Sequence, residues 1–301
     1  MLQFIFGRPA SGKTYTILEK LNGLANKGKE SVLIVPEQFT FENERAVLKR
    51  LGDKNALLVR VLSFTRLFEE IGREIGGTAG TVLRDSDKIV FMNRTLKSVA
   101  GALRLWGRYV DSVNFAKTVL DTVGEFKINA VTPAELKNIA EQIETPTLKN
   151  KLLDIALIYE NYDAFVGEKF IDPADTLTKV FEALKQYEYF KGKTVFLDSF
   201  KGFTGQQYKI IERILSQADD VIISLTDDRE IGGEYCVYAN IRKAVRNIEA
   251  IAKSRAVKIA EPIILNQSRY NSKALLALER LLAGGEFERE TGESAITVCR
   301  A

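Results

Sequence analysis

An α/β protein built on a parallel sheet and interrupted by a helical insertion is predicted from three observations. Short apolar runs alternate with helix-length amphipathic stretches at the start of the chain. Five of these runs are continuous in their apolar character, which suits strands covered by helices on both faces. From about residue 80 to residue 190 no convincing strand signal occurs, and the pattern is helical throughout.

The elements follow in order. Residues 2–6 form an apolar run stopped by Gly7, and residues 31–35 form a second run, closed by Pro36, with helical periodicity between them. This reads as strand, helix, strand. Residues 57–62, 194–197 and 221–225 supply three more buried-strand candidates. Within the helical stretch, Ile89, Met92, Leu96, Val99 and Leu103 share one face, and Arg94, Lys97, Arg104 and Arg108 share the opposite one. Gly101 and Gly107 weaken the second half of that helix. Thr132-Pro133-Ala134-Glu135 combines an N-cap, a first-turn proline and a capping-box glutamate, so a new helix starts there. Further helices are expected over residues 148–166, 174–184, 240–253 and 272–282. A strand-like Ala295-Ile296-Thr297-Val298 without an obvious partner suggests a fragment of a longer protein.

Composition removes several chemistries. The 301-residue chain contains no histidine, which excludes Ser-His-Asp and Cys-His nucleophile systems and histidine-ligated metals. Its two cysteines, Cys236 and Cys299, cannot build a four-thiolate cluster. A net charge of +3 leaves nucleic-acid binding to local clusters of Lys and Arg. No apolar run reaches the roughly 20 residues of a membrane helix, and the first residues lack a secretion-signal pattern. A cytoplasmic protein without membrane contact is expected.

Gly7-Arg8-Pro9-Ala10-Ser11-Gly12-Lys13-Thr14 matches the phosphate-binding P-loop at full spacing, directly after a strand and before a helix. Its glycines let backbone amides curl around phosphate. Lys13 reaches the outer phosphates, and the Thr14 hydroxyl can ligate Mg²⁺. ATP with Mg²⁺ is therefore the expected ligand of residues 7–14. Hydrolysis requires more: one carboxylate at a strand end to hold the metal and another to position water. Asp198, after the run Thr194-Val195-Phe196-Leu197, suits the first role, and a strand-end turn is its competing reading. Ser199 occupies the second position, where a hydroxyl without an activating partner is no base. Asp227 and Asp228 are the neighbouring alternatives.

Those residues, together with Pro36-Glu37-Gln38-Phe39-Thr40-Phe41, Ser63-Phe64-Thr65-Arg66-Leu67 and Asp198-Ser199-Phe200-Lys201-Gly202-Phe203-Thr204, resemble the amino-terminal part of the AddB family. Their order also resembles superfamily 1 helicases. AddB is the helicase-like nuclease subunit of the bacterial AddAB helicase-nuclease. The resemblance implies a RecA-like P-loop core over residues 1–80 and 191–232, a helical insertion over 81–190, and the truncated beginning of a second RecA-like domain over 233–301. It implies a role in double-strand break repair, with single-stranded DNA and an AddA-type subunit as partners. In this family the motor site is understood to be degenerate and the helicase-like channel to recognise the hotspot sequence Chi. Family nuclease and iron-sulfur residues lie beyond this part, so the chain is expected to cut nothing and to lack significant ATPase activity. Carried over by motif, Gln38, Thr40, Phe64, Arg66 and Phe203 line the DNA channel. Arg269 resembles the arginine motif that enters the second helicase domain.

Each assignment has a plainer competitor. Phe64 sits in an apolar stretch and reads equally as a buried aromatic, Arg66 as half of a surface ion pair, and the Arg94 to Arg108 stripe as a solvated helix face. A P-loop nucleoside kinase and a non-enzymatic scaffold for a partner helicase subunit are the alternative functions. No acceptor pocket or lid arginine for a kinase is identifiable by spacing.

Overall fold

The computed structural model describes residues 1–75, 81–167, 170–229, 231, 236–266 and 272–284. In chain order the strands are β1 (Leu2–Gly7), β2 (Ser31–Ile34), β3 (Val59–Leu62), β4 (Thr81–Val82), β5 (Phe170–Ile171), β6 (Thr194–Leu197), β7 (Asp220–Thr226) and β8 (Ile263–Leu265). The helices are α1 (Lys13–Ala25), α2 (Thr40–Ala56), α3 (Phe64–Ile75), α4 (Asp85–Val99), α5 (Val113–Ile128), α6 (Pro133–Glu141), α7 (Pro146–Gly167), α8 (Thr176–Gln186), α9 (Gly205–Gln217), α10 (Ala239–Ser254) and α11 (Lys273–Leu282).

The chain divides into two compact units. The first comprises Met1–Arg66, Glu188–Phe203 and Ile211–Ala301. It holds a six-stranded sheet in the order β3-β2-β6-β7-β1-β8, with every described pairing parallel. The α/β class and parallel sheet predicted from the continuous apolar runs are thus present. Burial explains which runs were continuous. The central strands β2 and β6 are buried at every position, whereas the edge strand β3 turns Arg60 to solvent. Helices α1 and α2 lay Ile17, Leu21, Val47 and Leu51 against Ile5, Leu33, Val61, Phe196 and Ile222. The carboxyl ends of β1, β6 and β7 lie side by side, so the loops after Gly7, Leu197 and Thr226 share one edge, the position where open parallel sheets bind ligands.

Two expectations differ in this unit. Residues 57–58 precede β3 instead of belonging to it, and Leu57 is exposed. Residues 239–265, expected to open a second domain, extend the first sheet: β8 pairs in parallel with β1 through Ile5↔Ile263 and Gly7↔Leu265. The apolar stretch 262–265 is simply the edge strand beside the phosphate loop. Arg269, Cys299 and the strand-like 295–298 lie outside the described residues.

The second unit comprises Leu67–Tyr187 and Thr204–Ile210. Its core joins Met92, Leu96 and Val99 of α4, Val119 and Val123 of α5, Leu136 of α6, and Ile158, Tyr162 and Val166 of α7. The α6 start is as its sequence specifies, with Thr132 and Glu135 exchanging capping hydrogen bonds. A short parallel pair, β4 with β5, went undetected because two-residue strands carry no period. The basic stripe does not form on one helix. α4 stops at Val99, a 3-10 turn covers Ala100–Ala102, and Leu103 is extended. Gly107 explains the break: a Cβ there would meet the Ala100 carbonyl oxygen at 2.8 Å, so the chain folds back on itself. Arg104 then bonds Asn150, and the buried Asp154 carboxylate accepts the backbone N–H groups of Arg104, Leu105 and Trp106.

Candidate nucleotide site

The loop after β1 is shaped by its glycines. A Cβ on Gly7 would lie 2.2 Å from Ser11 Oγ and 2.9 Å from the Leu265 carbonyl oxygen, so the edge strand leaves no room for a side chain. Gly12 adopts φ 92°, ψ 15°, the left-handed conformation glycine takes at little cost, and from it α1 begins. Ser11 Oγ is buried without a hydrogen-bond partner among the described residues.

Lys13 folds back over the loop, donating to the carbonyl oxygens of Gly7 at 2.9 Å and Arg8 at 2.7 Å. Burial lowers its pKa to about 8, against the opposing pull of Asp198 and Glu279. Next to it the Thr14 hydroxyl donates to Asp198 Oδ2 at 2.7 Å, and the Ser224 hydroxyl donates to Asp198 Oδ1. Asp198 is buried at the end of β6, and Ser224 points at it from the neighbouring strand. Ser199 follows in a left-handed conformation, φ 66°, with its side chain exposed.

These groups line one cavity of about 360 Å³, bounded by Pro9, Ala10, Gly12, Lys13, Thr14, Tyr15, Asp198, Ser199, Phe200, Ser224 and Thr226. Ser224, Thr226 and Tyr15 were not singled out from sequence. The signal for Ser224 was available, since a serine within the apolar run 221–225 is a polar group that needs a buried partner.

Asp227 and Asp228 do not supply a substitute carboxylate in the cavity. Asp227 Oδ1 accepts from Arg242 Nε at 3.0 Å and Arg242 Nη2 at 2.9 Å, and that hydrogen bonding raises the Arg242 pKa. Asp228 Oδ2 lies 3.9 Å from Arg8 Nε, while Arg8 Nη1 lies 4.0 Å from Glu279 on α11. Both aspartates are thus directed at arginines.

Among the described residues no three His, Cys, Asp or Glu side chains gather to hold a metal. A hydroxyl and a carboxylate nonetheless suit Mg²⁺, which takes few protein ligands and completes its shell with phosphate and water. Adjacent oxygens of an octahedral Mg²⁺ shell lie about 2.9 Å apart, close to the Thr14–Asp198 separation.

The residues expected at a DNA channel separate into two groups. Gln38 is exposed, Phe203 half-buried, and Arg66 partly exposed with Nη1 2.5 Å from Glu44 Oε1. Thr40 is buried and its hydroxyl donates to the Glu37 carbonyl, closing the turn before α2. Phe64 is 5% exposed and meets Phe200 edge-on at 5.5 Å, with Phe203 stacked beyond at 5.0 Å from Phe200. A stacking platform needs an open face, so for Phe64 the buried-aromatic reading holds. Phe41, grouped with the apolar aromatics, is instead 67% exposed beneath the Arg45 guanidinium.

A family model described as ADDB, N-terminal, matches residues 4–279. An ATP-dependent helicase/deoxyribonuclease subunit from Clostridium acetobutylicum is 33% identical over 294 residues, covering 95% of this chain and 26% of the relative. The protein of the same name from Caldanaerobacter subterraneus subsp. tengcongensis is 32% identical over 295 residues, with the same coverage. That from Clostridium tetani is 32% identical over 294 residues, covering 93% and 26%. The chain therefore spans about a quarter of the length of the curated relatives it matches.

Proposed function

Because the chain belongs to the AddB amino-terminal family, we propose that it is the ATP-binding, helicase-like part of an AddB subunit in an ATP-dependent DNA helicase–nuclease acting in double-strand break repair and recombination. In this reading its first unit is a RecA-like P-loop core with a degenerate motor site. It works beside an AddA-type subunit and contributes to Chi recognition in single-stranded DNA. Nuclease chemistry belongs to other parts of the assembly.

The observation that carries the reading is the convergence of Lys13, Thr14 and Asp198 on one cavity, with Ser199 where a second carboxylate is needed. On nucleotide binding Lys13 exchanges the carbonyls of Gly7 and Arg8 for the outer phosphates, and the amides of residues 7–14 cradle the rest. Thr14 and Asp198 hold Mg²⁺, which screens the phosphate charge. Ser199 leaves the attacking water without a general base, so the bound nucleotide acts as a ligand and not as a fuel. For DNA, Arg66, Gln38 and Phe203 offer accessible groups, while Phe64 and Thr40 hold their segments in place.

Calorimetry with MgATP on wild type and Lys13→Ala is the direct test. Binding that is lost in the variant supports the site, and equal affinity moves the nucleotide elsewhere. Brisk DNA-stimulated hydrolysis dependent on Lys13 would overturn the degenerate-motor part alone.

A further inference from the structure

We propose that Tyr15 and Arg50 form the base-binding end of this nucleotide site, with the Tyr15 ring receiving a purine by its face. The proposal rests on the nucleotide reading above and adds how the nucleoside is held.

The cavity has a direction. Asp198 and Ser199 stand where the outermost phosphate, its metal and any attacking water belong, so the nucleoside extends away from them. Tyr15 follows Thr14 in the first turn of α1 and lines the same cavity, yet it is 58% exposed. An aromatic ring left that open beside a phosphate loop has the shape and chemistry of a stacking surface.

One face of the ring is already covered. The Arg50 guanidinium carbon lies over it, 5.5 Å from the ring centre, and Arg50 Nη2 is 3.5 Å from the Tyr15 hydroxyl. Arg50 is anchored in turn by Glu19, one turn after Tyr15 on α1, through an Nε–Oε1 hydrogen bond of 2.5 Å. The ring is therefore held between α1 and α2 at a set angle, and its remaining exposure belongs to the opposite face and edge. The polar side chains of the cavity, Lys13, Thr14, Asp198, Ser199, Ser224 and Thr226, gather at the phosphate end. Tyr15 contributes a π face backed by a cation, which responds to stacking area and not to the pattern of donors on a base edge. Adenine and guanine gain equally from it.

The test uses the full-length subunit and three ligands with Mg²⁺: ATP, GTP and inorganic tripolyphosphate. Tyr15→Ala is expected to weaken ATP and GTP by the same factor, about 5- to 100-fold for loss of one stacked base, and to leave tripolyphosphate affinity unchanged. Tyr15→Phe should retain wild-type affinity for all three. Equal weakening of tripolyphosphate would show that the ring only supports the loop, and unchanged ATP affinity in Tyr15→Ala would place the base elsewhere; either result overturns the proposal. Failure of the wild type to bind any of the three, or indifference to Lys13→Ala, would instead remove the nucleotide site itself, and the proposal with it.

Discussion

The Thr14 hydroxyl and Asp198 Oδ2 are 2.7 Å apart although 184 positions separate them in the chain. The hydroxyl of Ser224 takes the other carboxylate oxygen, so two strand ends and the first turn of α1 meet on one buried side chain. Asp198→Asn puts an amide donor where one of these hydroxyls donates. It is expected to cost about 1–3 kcal/mol in a thermal or denaturant melt, and to abolish the gain in ATP affinity on adding Mg²⁺. Retention of the Mg²⁺ effect in a well-folded variant would exclude Asp198 as a metal ligand.

Lys13 gives the site a pH dependence with a definite sign. Its pKa in the folded chain is lowered to about 8 from 10.5 by burial, so the folded state holds its proton less firmly than the unfolded one. Its contribution to stability therefore rises between about pH 8 and pH 10.5. Nucleotide affinity runs the other way, because phosphate binds the ammonium form. ATP affinity should fall as pH rises above about 8, with proton uptake on binding visible as a dependence of the calorimetric heat on buffer. In Lys13→Ala this component disappears. A flat affinity profile from pH 7 to 9.5 in wild type would contradict a phosphate contact by Lys13.

How far the site could be read from residues alone depends on whether its geometry is local. The loop over residues 7–14 was legible because its glycines, lysine and hydroxyl stand at fixed spacing. Asp198 was legible as the end of an apolar run. The Asp227–Arg242 pair was not, since 15 positions and a helix start intervene and charge pairs carry no sequence period. Phe64 and Phe41 show the same limit within the DNA candidates. Both lie in aromatic, apolar surroundings, yet the first is buried against Phe200 and the second exposed, a difference set by which side of a turn faces the sheet. The early end of α4 depended on Gly107 approaching Ala100, a tertiary contact with only the two glycines to hint at it.

The helical unit carries its own test. Lys127 is buried with its ammonium 2.7 Å from Asp163, 3.1 Å from Asp172 and 2.6 Å from Asp175. Those carboxylates hold the lysine charged well above its usual range despite burial, while burial itself raises Asp163 and Asp175. Lys127→Met leaves the carboxylates uncompensated and should destabilise the unit by about 3–5 kcal/mol near neutral pH. Without the lysine, the folded carboxylates bind protons more readily than the unfolded ones. Acidification should therefore recover part of the loss, and melts from pH 7 to 4.5 would reveal a pH slope opposite to that of wild type. An equal deficit at every pH would mean that only packing was lost.

Ser199 bears on hydrolysis and on backbone strain together. A non-glycine residue at φ 66° costs about 1–2 kcal/mol, so Ser199→Gly is expected to be neutral or stabilising by up to about 1 kcal/mol. Hydrolysis should be negligible in wild type and in this variant alike. Ser199→Glu need not restore it, because a water-positioning carboxylate also needs the remaining motor parts. Steady-state phosphate release measured with and without single-stranded DNA checks both statements, and a rate that falls on removing the serine would make its hydroxyl a participant.

Arg66 is the candidate DNA contact whose present partner can be removed. Its Nη1 lies 2.5 Å from Glu44, and both side chains are about 40% exposed, so the ion pair contributes at most about 1 kcal/mol and a phosphate can compete for the guanidinium. Glu44→Gln should then tighten single-stranded DNA binding by releasing Arg66. Arg66→Ala should weaken it and reduce the salt dependence by about one unit of slope, as expected for one lost phosphate contact. The double variant should match Arg66→Ala, since Glu44 acts only through the arginine. Phe64→Ala is the control for structure: with its ring packed on Phe200, truncation should cost about 3–5 kcal/mol in a melt whatever it does to DNA. Binding titrations at several salt concentrations, made on the assembled complex with folding checked for each variant, separate these effects. If Glu44→Gln and Arg66→Ala both fold and leave affinity and salt slope unchanged, the pair only ties α2 to the start of α3, and the DNA path runs elsewhere on the subunit.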